Sequence, residues 1–591
     1  GVAKIASLRR EANEIVVNEN KRLLPVSSPD RFMALEFDQG DVVNYLSQGR
    51  WIDQAAVNDH FGYASGALVY PFELEPAQEM TIYLAIPFHN FYPDEIRSIS
   101  PAAAERYVDA KFQAVKSFWA EKLNHVQFRL PASADKMINT LRSNLAYILI
   151  NRDGPGIQPG SRSYERSWIR DGAMTSAALL KMGITEEVRQ FFDWYSRYQF
   201  PDGKIPCVVD RRGPDPVAEH DSHGEFIFGI LNYFRFSGDT TFLKSKFEHV
   251  KKAVDYIEFL VSQRSTDYYK NGNDSLRSLY AILPESISHE GYSAKPMHSY
   301  WDSFWAMKGL KDAVTIAQIL KDQASVERFT KLRDEFRTNL YHSLALVIRN
   351  HGIDYIPGCA ELGDFDATST SIAIYPCNEL NNLPQPYLQN TFDIYFRNFQ
   401  QRLNPDFHWE NYTPYELRTI STFVHLNQKE RAHEMLKFFF NDQRPQGWNH
   451  WAEVVWKDPR TPRFIGDMPH TWVGSDYINA VRSFFVFEDE ADGSLVIGAG
   501  LKDDWVDAAE GMAVKHLPTI YGELNYSIRK TGNKYLLELT GEVKMPLVKI
   551  RIKNFKASAP KQVLVNKKPI TDFGADQITI RKFPAVVEIK Y

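Results

Sequence analysis

The sequence predicts a mainly α-helical protein with β-modules: an (α/α)6 toroid flanked by an N-terminal β-region and a C-terminal small β-sandwich. Two observations predict this class. Apolar residues recur at three-to-four spacing from residue 133 to residue 487, and short strand-like runs occupy both ends of the chain. A superhelical solenoid would also pair its helices, but the sequence has no fixed-period repeat, which favours the closed barrel.

Residues 1–115 carry the strand patterns of the N-terminal region. The runs 32–37 and 80–86 are rich in β-branched and aromatic residues, and Gly and Pro lie between them. The pattern turns helical at Ala103, which predicts a linker helix extending to residue 132. We therefore expect a β-sandwich-like module ahead of the helical domain.

Twelve helical segments make up the predicted catalytic barrel domain, residues 133–487. They lie at 135–150, 172–182, 185–199, 223–236, 241–263, 299–320, 325–346, 366–376, 386–402, 414–425, 429–440 and 471–486. Twelve helices in consecutive hairpins fit the six inner and six outer helices of a toroid.

The chain returns to strand patterns after Phe487. The runs are 495–497, 535–539, 548–552 and 586–589, with Ile528 in a further short run. We expect residues 488–591 to form the C-terminal β-sandwich.

Six connections in the barrel domain are long and rich in Trp, Gly, Pro, His and acidic residues. They are 152–170, 200–222, 265–298, 348–366, 404–413 and 442–470. Long loops inside a compact helical domain are usually functional. Because one follows every second helix, all six should emerge at the same end of a toroid and build a single pocket there.

Composition and charge exclude several classes of partner. The 591 residues include 69 Lys and Arg against 74 Asp and Glu, a net charge of −5, which gives no electrostatic case for nucleic acid or an anionic membrane. No run approaches the ~20 apolar residues that span a bilayer. No leader is visible, so we expect a periplasmic or secreted protein if an export signal was trimmed, and a cytoplasmic one otherwise. The oligomeric state stays open.

The cysteines and aromatic residues bound the chemistry further. Cys207, Cys359 and Cys377 are too few for a disulfide framework or a four-thiolate metal site, and whether Cys359 and Cys377 pair stays open. The 12 Trp residues gather beside Asp, Glu, Arg and His. Sugar rings stack on indoles and bond their hydroxyls to planar polar groups, so an oligosaccharide or polysaccharide partner is favoured.

The first polar constellation joins Trp168, Arg170 and Asp171 at the start of a helix. Asp in that place is a good helix cap, because it accepts free backbone N–H groups and complements the helix dipole. The alternative is a polar fork for sugar hydroxyls beside a Trp wall. The spacing alone supports both interpretations equally.

The second constellation places His220 and His223 beside Asp221. Two histidines near acidic residues suggest a metal, but their spacing matches no zinc motif. Asp221 also suits the N-cap of the helix that follows. We therefore expect neither a metal nor a cofactor.

Acidic residues in two long loops are the candidates for chemistry. Glu285 and Glu290 lie in one loop, ahead of Trp301 and Asp302 at the next helix start. Glu453 lies in another loop among several indoles, which would raise the pKa of its carboxyl toward the range used in proton transfer. The alternative for Glu453 is an ordinary salt-bridged Glu.

Two carboxylates on facing loops over an aromatic pocket are the apparatus of glycoside hydrolysis, in which one protonates the leaving oxygen and the other activates water or attacks. No Gly-rich phosphate loop, Gly-x-Ser-x-Gly elbow, His-Glu-x-x-His or Cys-x-x-Cys competes with it. We expect seven Trp residues to converge on Glu290 and Glu453. They are Trp168, Trp301, Trp409, Trp448, Trp451, Trp456 and Trp472.

A family resemblance rests on the same residues. The segment 168–172, Trp-Ile-Arg-Asp-Gly ahead of an apolar helix, resembles the one that opens the barrel in glycoside hydrolase family 15, the glucoamylase and trehalase group. Further landmarks follow in the family's order: Glu290, 298–299, 304–313, 366–369, Glu453 and 470–475. The resemblance covers the predicted barrel domain, and the terminal β-regions resemble modules of rhamnosidases and disaccharide phosphorylases.

The resemblance implies an exo-acting, inverting hydrolase of this or a neighbouring family, which cleaves a terminal sugar, with an α-linkage as one option. Glu290 would be the acid and Glu453 the base, with carboxyl groups about 6.5–9.5 Å apart. His289 precedes Glu290 where the family usually has Trp, so Glu285 and then Asp302 compete for the acid role. The residues predicted to bind substrate are Trp168, Arg170, Asp171, Asp221, Trp301, Asp302, Trp451, His470 and Trp472.

Three other functions stay open. A disaccharide phosphorylase would replace the catalytic base with bound phosphate and would not need Glu453. A polysaccharide lyase would use a Tyr or His base near an Arg, for which Tyr292, His298 and Arg170 are candidates. A catalytically silent carbohydrate-binding scaffold would keep the Trp wall and tolerate loss of the carboxylates.

Overall fold

The computed structural model of the protein describes residues 4–88, 94–544 and 549–591. The chain forms two compact units, within residues 1–121 and 122–591. Helices make up most of the second unit, and sheets occupy the first unit and the C-terminal region. The predicted class, mainly α with β-modules, is confirmed. The domain boundaries at residues 115, 133 and 487 stay predictions.

The first unit is built on short antiparallel strands. Among its described residues, one sheet has the order Ala56–Asn58, Ser7–Glu11, Glu14–Val17, Lys21–Pro25 and Leu84–Ala85. Arg31–Leu35 pairs separately with Ser65–Val69. The strand predicted at 80–86 is shorter than expected, since only Leu84–Ala85 pairs with Leu24 and Pro25. The helices here are Val42–Ser47, Asp94–Arg97 and Pro101–Leu123.

Twelve helices within the described residues form the barrel. They are α1 (Asp135–Ile150), α2 (Ile169–Lys181), α3 (Glu186–Tyr195), α4 (Ser222–Ser237), α5 (Thr240–Ser262), α6 (Tyr300–Leu320), α7 (Gln323–His351), α8 (Ala367–Ile374), α9 (Tyr387–Gln401), α10 (Arg418–His425), α11 (Lys429–Asn441) and α12 (Thr471–Phe485). Each lies within or close to one of the predicted segments.

The even-numbered helices form a closed ring. Each packs on the next, from α2 through α4, α6, α8 and α10 to α12, and α12 packs back on α2. The odd-numbered helices lie outside this ring: five of them pack on neighbours in the chain, and α1 packs on α12. For the described residues, these contacts give six inner and six outer helices, which is the predicted toroid and not a solenoid.

Burial follows the place of each helix in the ring. Every residue of α2 and of α12 is buried, as expected for helices packed on all sides. The outer helix α3 instead buries apolar residues at three-to-four spacing, which are Val188, Phe191, Phe192 and Tyr195. These two inner helices therefore have no face exposed to solvent along their length.

Two glycines set the distance between α4 and α6. A Cβ at Gly224 would lie 1.9 Å from the carbonyl oxygen of Trp305, and one at Gly309 would lie 2.7 Å from the Cα of Gly224. Backbone therefore meets backbone at this crossing, and no side chain there can move aside to make room.

Polar side chains plug the ring at the end opposite the long loops. Lys181 Nζ donates to the Tyr375 hydroxyl at 2.6 Å and to Asn479 Oδ1 at 2.8 Å. Arg482 donates to both carboxylate oxygens of Glu488, each at 2.6 Å. Burial lowers the pKa of Lys181. These groups satisfy one another and fill the far end of the barrel.

Two sheets follow the barrel. One has the order Val486–Asp489, Ser494–Ile497, Lys549–Lys553 and Gln577–Ile580. The other has the order Lys568–Pro569, Gln562–Val565, Ala585–Lys590, Lys534–Gly541, Gly522–Thr531, Met512–Thr519 and Gln127–Arg129. The last of these strands precedes the barrel in the chain, so segments from both sides of the barrel share this sheet. All the predicted strands after Phe487 lie in these sheets, except that residue 548 falls outside the described residues.

The structure answers two questions raised by the composition, on cysteine pairing and on membrane-spanning helices. The three cysteines are buried and unpaired, so Cys359 and Cys377 do not form the disulfide that the sequence left open. Within the described part of the chain, no helix combines the length and the apolar character that crossing a membrane requires.

Gly224→Ala should destabilise the barrel by about 2 kcal/mol or more, because the added methyl group meets backbone that cannot rotate away. Gly447→Ala is the matched control, since nothing lies within 4 Å of a Cβ at that residue, and we expect a change of ~0.5 kcal/mol or less. Thermal unfolding followed by circular dichroism measures both. Equal midpoints for the two variants would contradict the backbone contact.

Candidate active site

One cavity lies at the loop end of the barrel. Its volume is about 400 Å³, and its walls come from the first turns of inner helices and from five of the six long loops. The sixth, residues 200–222, was predicted to share in the pocket but contributes no lining residue. Eight residues predicted for catalysis or binding line it: Trp168, Arg170, Asp171, Glu290, Trp301, Glu453, His470 and Trp472. The long loops thus bring these side chains to one pocket.

A small sheet fixes the first wall of the cavity. Ser167–Trp168 pairs with Val208–Asp210, which pairs in turn with Gly213–Asp215. The Arg166 guanidinium donates to Asp210 and Asp215 at 2.9 and 3.3 Å and lies 4.9 Å from the centre of the Trp168 ring. An arginine therefore packs on Trp168, and the strand pairing fixes the direction of its indole.

Arg170 lies in the first turn of α2 with its side chain buried. Its Nη1 donates to Glu219 at 2.6 Å and to Asp221 at 3.4 Å, and its guanidinium lies 5.2 Å from the Trp472 ring. Asp221 also accepts the indole N–H of Trp301 at 2.8 Å. These bonds satisfy a buried charge that would otherwise be costly. Asp221, predicted to bind substrate, instead supports Arg170 and Trp301 from outside the cavity.

Asp171 is the next residue, and only 3% of it is exposed. Its Oδ2 lies 4.0 Å from Arg170 Nε. Burial raises the pKa of Asp171 to about 8; Arg170 opposes this shift, and the charges of Glu290 and Glu453 add to it. A protonated Asp171 is able to donate a hydrogen bond into the cavity.

Two phenols hold Glu453. Tyr164 donates to Oε2 at 2.5 Å and Tyr415 donates to Oε1 at 2.9 Å. Burial raises the pKa of Glu453, the two phenol hydrogen bonds oppose the rise, and the charge of Glu290 adds to it. The backbone closes in behind the carboxylate, since a Cβ at Gly466 would lie 2.3 Å from Oε2. The carboxylate is therefore fixed in one orientation at the cavity wall.

Asp467 holds the loop that carries Tyr164. It accepts the backbone N–H groups of Arg162, Ser163 and Tyr164 at 2.8, 3.0 and 3.0 Å. Burial would raise the pKa of Asp467, but these bonds lower it below its usual value. The turn that packs on Glu453 thus also places the phenol donor of that residue.

Glu290 reaches the cavity from another loop. Its side chain is 53% exposed, and its Oε1 lies 4.0 Å from Arg170 Nη2. The backbone φ is +67° at Glu290 and +54° at Ser288. Residues other than glycine adopt this left-handed region at a cost, and such positions cluster at functional sites. A strained loop therefore presents a half-exposed carboxyl to the cavity.

Arg418 and Tyr415 complete the aromatic wall. The Arg418 guanidinium lies 5.2, 5.7 and 5.1 Å from the ring centres of Trp301, Tyr415 and Trp472. It also donates to Asp476 through Nε and Nη2, at 3.2 and 2.9 Å. The ion pair locks the guanidinium, which in turn packs against three aromatic rings.

His289, Ser369 and Asp366 form a chain of polar contacts in the cavity wall. Its Nε2 lies 3.0 Å from Ser369 Oγ, which donates to Asp366 Oδ2 at 2.5 Å. The imidazole meets Trp301 edge to face, with 5.0 Å between ring centres. Burial lowers the pKa of His289, so the ring is neutral near pH 7. The residue before Glu290 is thus a fixed polar group where the family usually has Trp.

Two of the predicted carboxylates lie outside the cavity. Glu285 forms an ion pair with Arg264, and its Oε2 lies 3.5 Å from His298 Nε2. Asp302, predicted to bind substrate, is fully buried and accepts hydroxyl groups from the loop ahead of Glu290. In the described structure, Glu290 is the one of these three acid candidates that lines the cavity.

The expected convergence of seven Trp residues holds for three, since Trp168, Trp301 and Trp472 line the cavity. Trp451 is a core residue instead: it is fully buried and donates its indole N–H to the Phe439 carbonyl at 2.7 Å. Three others are not among the residues that line the cavity. They are Trp409, Trp448 and Trp456.

Sequence reasoning missed the polar and phenolic part of the lining. The residues are Tyr164, His289, Asp366, Thr368, Ser369, Thr413, Tyr415 and Arg418. Several share one signal, which is a place in the first turn of an inner helix or immediately before it. Arg170 and Trp472 occupy the same place in α2 and α12, so that rule would have indicated Arg418 as well.

The histidine cluster of the sequence is part of the core. Burial lowers the pKa of His220 to about 4 and that of His223 to about 3. His223 stacks on Tyr256 with 4.8 Å between ring centres. Among the described residues, no group of three or more His, Cys, Asp and Glu side chains is arranged to hold a metal ion.

Comparison with known proteins gives matches in structure. No family model matches the chain, and no curated protein matches its sequence. An α-L-rhamnosidase from Dictyoglumus thermophilum matches with a TM-score of 0.55 at 14% identity, over 79% of this chain and 50% of that one. This chain has the fold of a helical-barrel glycosidase. It spans half the length of that rhamnosidase, and the likeness at this identity is one of fold.

Two further solved structures are similar. An α-L-rhamnosidase from Streptomyces avermitilis complexed with L-rhamnose has a TM-score of 0.49 and 12% identity, over 100% of this chain and 52% of that one. A bacterial glucoamylase complexed with acarbose has a TM-score of 0.49 and 13% identity, over 81% of this chain and 75% of that one.

The stability of Asp171→Asn relative to the wild type should increase as the pH rises. The pKa of Asp171 is raised from 3.8 to about 8 on folding, so between these values the folded chain holds a proton that the unfolded chain has released. Stability therefore falls across this interval by about 1.4 kcal/mol per pH unit for one proton, and the neutral amide removes that loss.

Thermal unfolding of wild type and Asp171→Asn across this pH interval measures the effect. Asp109→Asn, at an exposed position in the helix Pro101–Leu123, is the control and should show no such trend. An advantage of Asp171→Asn that stays constant with pH would contradict the raised pKa.

Proposed function

We propose that the protein is an exo-acting glycoside hydrolase that inverts the anomeric centre, with Glu453 as general base and Glu290 as general acid. The observation that carries the proposal is the pair of phenol hydrogen bonds to Glu453, at the wall of the cavity that also contains Glu290. A carboxylate fixed in this way keeps its charge and orientation, and its remaining lone pairs are able to take a proton from water.

The acid role suits Glu290 because its carboxyl is free to act. Among the described residues, no side-chain hydrogen bond engages it, and its ion-pair partner is Arg170 at 4.0 Å. The loop carries it to the cavity while leaving the side chain half exposed. A leaving-group oxygen entering from the open side would meet this carboxyl first.

Exo action is supported by the shape of the barrel. The cavity of about 400 Å³ opens among the loops, and Lys181, Arg482 and Glu488 plug the far end of the ring. A blind pocket admits the end of a glycan chain, whereas an internal segment would need a groove with two exits. We infer that a terminal sugar is removed from an oligosaccharide or polysaccharide.

The search for that sugar starts from the ligands of the structural neighbours, L-rhamnose and acarbose. We define the probe glycosides as the methyl and 2,4-dinitrophenyl glycosides of α-L-rhamnose and α-D-glucose. A panel of plant and bacterial oligosaccharides extends the search, with product anomers identified by NMR. Turnover that requires added phosphate would favour a phosphorylase, and absorbance from an unsaturated product would favour a lyase.

Glu453→Gln and Glu290→Gln should each lower turnover by about 10²–10⁴-fold, which is the usual contribution of a positioned acid or base. Glu285→Gln is the matched control, because Glu285 pairs with Arg264 outside the cavity. Initial rates on the oligosaccharide that the panel identifies measure all three, with circular dichroism to verify folding. An unchanged rate in either of the first two variants would remove that residue from the mechanism.

Tyr164→Phe should move the acid limb of the kcat/KM profile to higher pH. The hydrogen bond from Tyr164 lowers the pKa of Glu453, so its loss raises that pKa, and a base that must be ionised then requires a higher pH. Tyr147→Phe is the control, since the Tyr147 hydroxyl donates to the Trp448 carbonyl outside the cavity. A shift of the limb to lower pH would contradict the base role of Glu453.

A further inference from the structure

A buried clamp joins helix α6 to the loop that carries Glu290. Asp302, in the first turn of α6, accepts the Ser286 hydroxyl on Oδ2 at 2.5 Å and the Ser288 hydroxyl on Oδ1 at 2.8 Å. All three residues are at most 1% exposed. None of them lines the cavity, so the clamp lies behind the catalytic groups and does not touch a bound sugar.

The clamp fixes the backbone as well as the side chains. The Ser288 N–H donates to Ser286 Oγ at 2.8 Å, which closes a tight turn. Ser286 also exchanges two backbone hydrogen bonds with Met297, each at 3.0 Å. The chain is therefore anchored from two directions within the few residues that precede Glu290.

Two residues in this turn or shortly after it have a left-handed backbone conformation. Ser288 and Glu290 have φ values of +54° and +67°, and neither is a glycine. Such conformations persist only where the surrounding structure holds them in place. The hydrogen bonds of Asp302 to the turn are contacts of this kind, because they restrain Ser286 and Ser288 immediately ahead of Glu290.

We propose that Asp302 is a positioning residue, which acts through Ser286 and Ser288 to hold the Glu290 carboxyl against the leaving-group oxygen. The proposal rests on the function proposed above, since it takes Glu290 as the acid. In that step the O–H bond of Glu290 breaks and its proton joins the glycosidic oxygen as the bond from that oxygen to the anomeric carbon breaks. A water molecule forms the new bond to that carbon and gives its proton to Glu453.

Leaving groups distinguish positioning from a general structural role. A methoxide leaving group needs a proton from the acid, whereas 2,4-dinitrophenolate is stable enough to depart without one. A misplaced Glu290 therefore slows the methyl glycoside and spares the dinitrophenyl glycoside of the same sugar. Loss of folding or of sugar binding would slow both alike.

The test compares Ser286→Ala, Ser288→Ala and the double variant with wild type on both kinds of probe glycoside. We expect the double variant to lose about tenfold or more in kcat/KM on the methyl glycoside and about threefold or less on the dinitrophenyl glycoside. Ser303→Ala is the matched control, since Ser303 is buried in the same helix but donates to the Ser299 carbonyl at 3.2 Å. Equal losses on the two leaving groups in the double variant would overturn the proposal.

Glu290→Gln separates the two possible failures. If this variant slows both leaving groups alike, the acid role proposed for Glu290 fails. If it discriminates between them and the double variant does not, the positioning role of Asp302 fails.

A crystal structure of the double variant beside one of the wild type gives a readout that needs no turnover. We expect φ of Glu290 to leave the left-handed region when the two hydroxyls are removed. A turn that keeps its conformation in the double variant would overturn the positioning role.

Discussion

A guanidinium buried beneath the cavity organises the candidate site, because a charge taken out of water must be compensated on nearly every side. Arg170 is compensated by Glu219 and Asp221 and packs on Trp472. Asp221 extends the network to Trp301. One cation thus ties together the starts of α2, α4, α6 and α12. It also balances a group of acids whose burial is costly enough to raise the pKa of Glu219 to about 7.

The helical periodicity was sufficient to predict the twelve helices, because each of them buries apolar residues against its neighbours. The closure of the ring depends on the contact between α12 and α2, which lie at opposite ends of the domain, and no local pattern specifies it. Likewise, the extent of the strand around Leu84 is set by its pairing with Leu24 and Pro25, which lie far away in the sequence. The local sequence pattern therefore predicted which segments form helices and strands. Where a strand ends depends on its partner, which lies elsewhere in the chain.

The residues of the candidate site also fall into those that local sequence predicted and those that depend on distant contacts. Arg170, Asp171, Glu290 and Glu453 could be predicted because aromatic and charged neighbours in the chain mark them. Whether a carboxylate reaches the pocket depends on partners far away in sequence, such as Arg264 for Glu285. The indole of Trp451 is likewise withdrawn into the core by a carbonyl on α11. Tyr415 stayed hidden because its role comes from a hydrogen bond to another loop.

The polar side chains at the far end of the barrel also affect the route by which a ligand enters and leaves the cavity. Lys181 is hydrogen-bonded to Tyr375 and Asn479, and Arg482 to Glu488, so these side chains occupy the end of the barrel opposite the cavity. A sugar that enters the cavity among the loops would then have to leave through the same opening. If the protein acts as proposed, a monosaccharide released at the bottom of the pocket would block the next chain end until it has diffused out. For the proposed hydrolase, the rate of product release would then set an upper limit on turnover, independent of the rate of bond cleavage.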